Sequence, residues 1–322
     1  MRISKHTRQA KAASRVARWS AAVVAALLVV LGGVAWGGNA VPAPTVTVTV
    51  GGSPSASPVS TPTASPSSSA AATMSLKVYF LRPIGGSQPA RGPFIATAAR
   101  AVPATPAPAA AAVRLLLAGP IARERAIGMS TAIPVGTTLR GLTIAGGVAT
   151  VDLSGTFAVS GTVAAGGGTL STRGRLAQVV YTLTQFPSVS KGVVFRLDGR
   201  VVTVFGSQGM TLSHAQKRSD YESLTPPIFV DSPAAFAVVK GTLRASGTAD
   251  VFEATFRARV VRGTKQGTTT VTATSGSGTR GTFSFALRAP GTVPTGSLVV
   301  WDPSAEDGSP LHTVTIPLTF VP

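Results

Sequence analysis

Apolar residues fall into three patterns along the chain: one unbroken run near the N-terminus, short runs and a helical spacing in the middle, and strict alternation toward the C-terminus. The unbroken run is Trp19 to Trp36, WSAAVVAALLVVLGGVAW. Its 18 uncharged residues would cover roughly 27 Å as a helix, enough for a hydrocarbon core, with tryptophans at the interfaces. In the middle, LKVYFL from Leu76 reads as a strand and Ala109 to Ala118 as a short helix stopped by Gly119-Pro120. LRGLTI and VATVDL flank Ala145-Gly146-Gly147 and predict a hairpin. Leu176, Val179, Val180 and Leu183 follow the i, i+3, i+4, i+7 spacing of one helix face, ended at Phe186-Pro187. VVFRL and VVTVF surround Asp198-Gly199-Arg200, a tight-turn signal.

The order β-α-β-β-α-β-β predicts an α+β domain, a small sheet with two helices on one face, over residues 76–212. After a linker at 213–225, residues 226–322 read almost wholly as strands. Phe252, Ala254, Phe256, Ala258 and Val260 alternate with polar residues, as do Phe283, Phe285 and Leu287, and then Val314, Ile316, Leu318 and Phe320. That period marks half-buried strands and predicts an all-β sandwich. Pro317 falls on the outward face of the last strand, which suggests a sheet edge where a missing amide donor is tolerated.

Charge changes the picture mainly at the N-terminus. Of 29 basic residues, Arg2, Lys5, Arg8, Lys11, Arg15 and Arg18 precede the apolar run, and no acidic residue occurs before Glu124. This flank places residues 1–18 in the cytoplasm, 19–36 in the membrane as a signal anchor, and the rest outside. Small residues at Gly38-Asn39-Ala40 keep the alternative open, a signal peptide cleaved near Ala40 with the remainder secreted. Residues 37–75, rich in Ser, Thr, Pro and Ala, read as a disordered tether. From Lys77 onward the basic surplus is diffuse, favouring anionic partners such as lipid headgroups or acidic wall polymers over nucleic acid.

The chain holds no cysteine, so thiol nucleophiles, thiolate metal sites and a lipid-bearing cysteine are excluded. His214 and His312 lie far apart and without a ligand pattern, so no metal and no cofactor is expected. Asp152 and Asp198 read as turn formers, Glu306 and Asp307 as loop residues, and Glu253 as a partner for Arg257 or Arg259. Arg173 and Arg175 open the second helix, where the dipole disfavours cations, and are therefore the candidate ligand-binding residues for something anionic.

VRLLLAGP at 113–120, STAIPVGTTLRGLTIAGGVATVDLS at 130–154 and RLAQVVYTLTQFPSVSKGVVFRLDG at 175–199 resemble the GerMN domain of sporulation and spore germination proteins. PPIFVDSP at 226–233, SGTADVFEATFRARV at 246–260 and SAEDGS at 304–309 resemble the Gmad2 immunoglobulin-like domain that accompanies it. The resemblance implies no catalytic residue. It implies a membrane-anchored envelope scaffold that binds a protein partner or peptidoglycan; regulation of a sensor kinase or transport complex, or peptidoglycan cleavage, are the alternatives. The chain departs from that pattern in using a peptide anchor and in an insertion-like stretch from Arg91 to Ala112, rich in Ala and Pro.

Overall fold

A computed structural model describes residues 72–87, 92–159, 169–207 and 209–322. They belong to a compact unit, Ser67–Pro322. The expected cytoplasmic tail, membrane helix and nearly all of the tether lie outside the described residues, among which no helix is long and apolar enough to cross a membrane.

The first domain opens with a two-stranded ribbon. Strands β1 (Thr73–Arg82) and β2 (Phe94–Pro103) pair antiparallel along their whole length. Helix α1 (Pro108–Leu117) begins with a proline, which fits the first turn because its missing amide needs no partner there. A short helix α2 (Ala122–Ala126) leads to the hairpin of β3 (Leu139–Ala145) and β4 (Val148–Leu153). Gly146 and Gly147 turn it at φ of 58° and 86°, a region that favours glycine. Helix α3 (Thr169–Leu183) then carries the chain to β5 (Gly192–Leu197), which runs parallel to β4, as a helical crossover allows. The two-residue strand β6 (Arg200–Val201) completes a sheet of order β3-β4-β5-β6, and β7 (Val204–Phe205) pairs separately with β8 (Met210–Thr211).

Leu176, Val179, Val180 and Leu183 of α3 are all fully buried, as their spacing requires. The helices α1 and α3 pack on each other and on β1, while α1 also meets β3 and α3 meets β5. Two expectations need correction. The expected order lacks a strand, because residues 92–112 supply β2 as well as the start of α1, with Ala98 and Ala99 buried. The hairpin around Asp198 is short, since its return strand leaves after Val201.

The second domain is mixed only by short 3-10 turns; its strands are β9 (Ile228–Ser232), β10 (Val238–Lys240), β11 (Leu243–Ala249), β12 (Thr255–Arg262), β13 (Lys265–Thr272), β14 (Gly281–Leu287), β15 (Thr295–Pro303) and β16 (Pro310–Val321). They form sheets of order β10-β16-β15-β12-β13 and β14-β11-β9. The inner faces meet where Phe256 of β12 and Phe283 of β14 pack edge to face, with centroids 4.9 Å apart. Phe256, Ala258, Val260, Leu298, Val300, Ile316, Leu318 and Phe320 line one side of this core, and Leu243, Ala245, Ala249 and Phe283 the other. Gly247 is required here: a Cβ would stand 1.9 Å from the Phe229 carbonyl oxygen.

Here too the pattern overreaches at two points. Phe252 is 70% exposed, because Glu253 and Ala254 take φ of 55° and 56° and break the strand before Thr255. The last strand is no edge, for β10 covers its end. Pro317 is tolerated because its carbonyl, and with it its ring nitrogen, faces the segment before β10, where Phe236 N–H donates to that carbonyl and no acceptor awaits an amide.

Candidate functional site at the domain boundary

The two domains are joined by backbone pairing as well as by side chains. After β1 the chain lies along β16: Gly85 N–H donates to the Thr313 carbonyl at 2.9 Å and Thr313 N–H returns to Gly85 at 2.7 Å. Ala99 of β2 and Ala235 are bridged likewise, by Ala99 N–H to Ala235 at 2.8 Å and Ala235 N–H to Thr97 at 3.0 Å. Between these contacts lies an apolar cavity of about 120 Å³ lined from both domains, including Ile95, Met129, Ile228 and Ile316.

Beside this seam four ionisable side chains converge. Strand β1 directs Lys77 and Tyr79 toward the second domain, which offers Asp231 from β9. The linker folds into 3-10 turns at Arg218–Leu224, anchored by buried Tyr221 and Leu224, and so fixes Arg218 over the same spot. Asp231 Oδ2 accepts from Lys77 Nζ at 2.5 Å, and Oδ1 from the Tyr79 hydroxyl at 2.6 Å and Arg218 Nη1 at 3.3 Å. Arg218 also donates to Thr184 Oγ1 at 2.9 Å and to the Tyr79 oxygen at 3.2 Å, with its guanidinium over the Tyr181 ring at 4.7 Å. Every strong acceptor in the cluster is therefore occupied.

Burial raises the Asp231 carboxyl, but Arg218, Lys77 and the hydrogen bonds from Lys77 and Tyr79 more than offset it, and its pKa falls below the ordinary aspartate value. Tyr79 is pushed well up by burial and by the neighbouring Asp231 charge. Burial opposes the charge on Arg218, yet Tyr79 and Asp231 hold its pKa above the usual arginine value. The cluster thus joins one carboxylate to two cations, Lys77 and Arg218, in an arrangement that favours their charged forms, with the Tyr79 phenol as a fourth member. An open groove of about 530 Å³ runs past it, between Gln185, Ser190 and Lys217.

A second ion pair lies deep in the first domain. Arg100 of β2 meets Glu124 of α2 through two bonds of 2.9 and 2.5 Å, and also donates to the carbonyls of Leu115 and Gly119. Glu124 is wholly buried and accepts the Ile121 amide as well. Neither pair was legible in the sequence, because its members stand 24 and 154 positions apart and no local pattern ties them together.

The candidate residues Arg173 and Arg175 sit one turn inside α3. Arg173 donates to the Asp220 carbonyl at 2.5 Å and lies over the Tyr221 ring. Arg175, 5% exposed, donates to the carbonyls of Ala132, Phe157 and Val159, and burial lowers its pKa. Both therefore have partners within the chain. His214 is paired with Asp220 and His312 with Asp302, each at 3.0 Å. Asp152 accepts the Gly199 amide, Asp198 accepts the Gly155 amide and forms an ion pair with Arg140, and Asp307 accepts the Ser309 amide. Glu253 holds Ser277 through its backbone amide, and no ion pair joins it to Arg257 or Arg259 among the described residues. Among them too, no group of three or more His, Asp or Glu side chains is placed to hold a metal ion.

Residues 77–203 match the Germane family, described as "Sporulation and spore germination", and residues 227–309 match Gmad2, the "Immunoglobulin-like domain of bacterial spore germination". The chain thus carries a Germane domain followed by a Gmad2 domain. Its Germane domain is similar to solved structures at low identity. The first GerMN domain of the sporulation protein GerM from Bacillus subtilis aligns at 21% identity over 46% of this chain and 99% of that one, with a TM-score of 0.37. The tandem GerMN domains of the same protein align at 18% over 61% of this chain and 59% of that one, with a TM-score of 0.38. A putative lipoprotein from Clostridium perfringens aligns at 20% over 46% and 89%, with a TM-score of 0.31. No curated protein matches the chain significantly.

Proposed function

We propose that this Germane–Gmad2 chain is a non-catalytic binding scaffold of the cell envelope, held at the membrane by residues 19–36 with residues 72–322 outside the cell. The observation that carries this reading is the lock between the domains. Lys77, Tyr79, Arg218 and Asp231 are consumed in holding the Germane domain on Gmad2, which suits a rigid presenting body better than a cleft that must admit and release substrate. The germination families matched by both domains support an envelope setting, and the basic flank before Trp19 supports the orientation.

The test is protease treatment of intact cells, with the mass of the extracted chain measured alongside. The reading predicts a full-length mass and loss of the 72–322 region from outside. A mature mass lacking residues 1–40 would remove the anchor, and protection of the folded region until lysis would overturn the orientation. Purified cell wall incubated with the chain checks the rest: release of soluble fragments would contradict the non-catalytic role.

A further inference from the structure

The five-stranded Gmad2 sheet carries more basic than acidic side chains. Its strands contain Lys240, Arg257, Arg259, Arg262 and Lys265 and a single acidic residue, Asp302, which is 7% exposed and turned inward to His312. Arg257 and Arg259 stand on the same outward face, roughly 7 Å apart along β12 by strand geometry. Trp301 of β15 lies directly opposite Arg257, and the Arg259 guanidinium rests over its ring at 5.0 Å. Exposed threonines flank them: Thr268, Thr270 and Thr272 on β13, Thr315 on β16.

The two arginines have no hydrogen bond or ion pair among the described residues, unlike Arg82, Arg100, Arg175, Arg218, Arg262 and Arg280; Arg114, Arg196, Arg200, Arg244 and Arg288 share that state, but Arg257 and Arg259 stand side by side on one strand face. The Nε of Arg259 is buried and unsatisfied. A buried donor without a partner is costly to retain, and here the guanidinium rests over the ring of Trp301.

We infer that this face binds a phosphodiester-linked anionic wall polymer, with Arg257 and Arg259 each taking a phosphate and the threonine rows meeting its hydroxyls. Charge complementarity selects an anion, and two cations along β12 beside a row of hydroxyls along β13 select a linear chain. A bilayer surface fits less well, because the exposed apolar side chains of the sheet, Val238 and Val321, lie on β10 and the end of β16, separated by β15 from the arginines of β12. The choice of polymer rests on the envelope reading above, but the titration below uses purified components, so either can fail without the other.

Tryptophan occurs only at 19, 36 and 301, so in the full chain carrying Trp19→Phe and Trp36→Phe the emission reports Trp301 alone. That chain, in nanodiscs of neutral phosphatidylcholine, is titrated with poly(glycerol phosphate) at about 0.15 M salt. The expected result is a saturable change in emission, weakened about tenfold or more by Arg257→Gln/Arg259→Gln and less than about twofold by Arg244→Gln/Arg288→Gln, which removes equal charge elsewhere. Should the first pair fail to fold, Arg257→Lys/Arg259→Lys, which keeps the charge and loses the planar fork, decides with an expected weakening of about threefold. No saturable change, equal loss in both glutamine pairs, or a change produced by anionic nanodiscs and not by the polymer would each overturn the inference.

Discussion

In the Germane domain Arg100 and Arg175 are drawn into the interior, their guanidinium groups closed by carbonyls and, for Arg100, by Glu124, whereas in the Gmad2 sheet Arg257 and Arg259 stand outward with no acceptor among the described residues. The residue type is the same and the net charge it contributes is the same. The difference lies in the fold around it. Helices and loops leave carbonyl oxygens unpaired at their ends, and a buried arginine satisfies several at once; a sheet interior has already paired its carbonyls and leaves an arginine nothing but solvent or a partner. A basic composition thus divides into a structural share and a share available for binding, and only the three-dimensional neighbourhood tells them apart.

The largest effect that would sharpen this contrast is expected at the Arg100–Glu124 pair. Glu124→Gln leaves a buried guanidinium without its counter-charge and should cost about 3–5 kcal/mol in denaturant unfolding. A loss below about 1 kcal/mol would mean that the carbonyls of Leu115 and Gly119 suffice to hold Arg100.

At the domain boundary the expected loss is smaller, because a quarter of the Asp231 side chain is exposed. Asp231→Asn should cost roughly 2–3 kcal/mol and make the two domains melt in separate steps by calorimetry. The folded pKa of Asp231 is depressed, so its contribution is fully present above the unfolded value of about 3.9 and is lost as pH falls through the lower folded value. Acid titration of the parent below about pH 4 should therefore weaken the lock, and the Asp231→Asn variant should lack that part of the pH dependence. An unchanged acid profile in the variant would remove Asp231 from the lock.

Strand alternation made most of the Gmad2 core legible, from Phe256 through Phe320, because one face is dry and the period is short. Its failures were local. At Phe252 the apolar alternation continues through residues whose backbone turns left-handed, something composition does not announce. Strand β2 escaped notice for another reason: FIATAARAVP is built largely of alanine, which has weak strand preference and is buried here by close packing against β1 and the second domain. Arg175, Arg218 and Asp231 were invisible as partners because tertiary contacts alone bring them to their acceptors. The candidates Arg173 and Arg175 were chosen on helix-dipole grounds, and the structure answers that same electrostatic problem with carbonyls from Asp220 and the 132–159 segment.

The smallest effect is expected at Phe252. Its ring is already in solvent, so Phe252→Ser should alter stability by no more than about 0.5 kcal/mol, against about 3–5 for Phe256→Ala four residues on in the core. Equal losses at the two positions by thermal unfolding would place Phe252 in the sandwich after all.

The most direct measurement of the division between structural and free arginines is denaturant unfolding of Arg257→Gln/Arg259→Gln beside Arg100→Gln. The pair on the sheet face should unfold within about 0.5 kcal/mol of the parent, while the single interior change loses about 3 kcal/mol or more. Comparable losses in the two proteins would contradict the account, because Arg257 and Arg259 would then be holding the fold and not waiting on a partner.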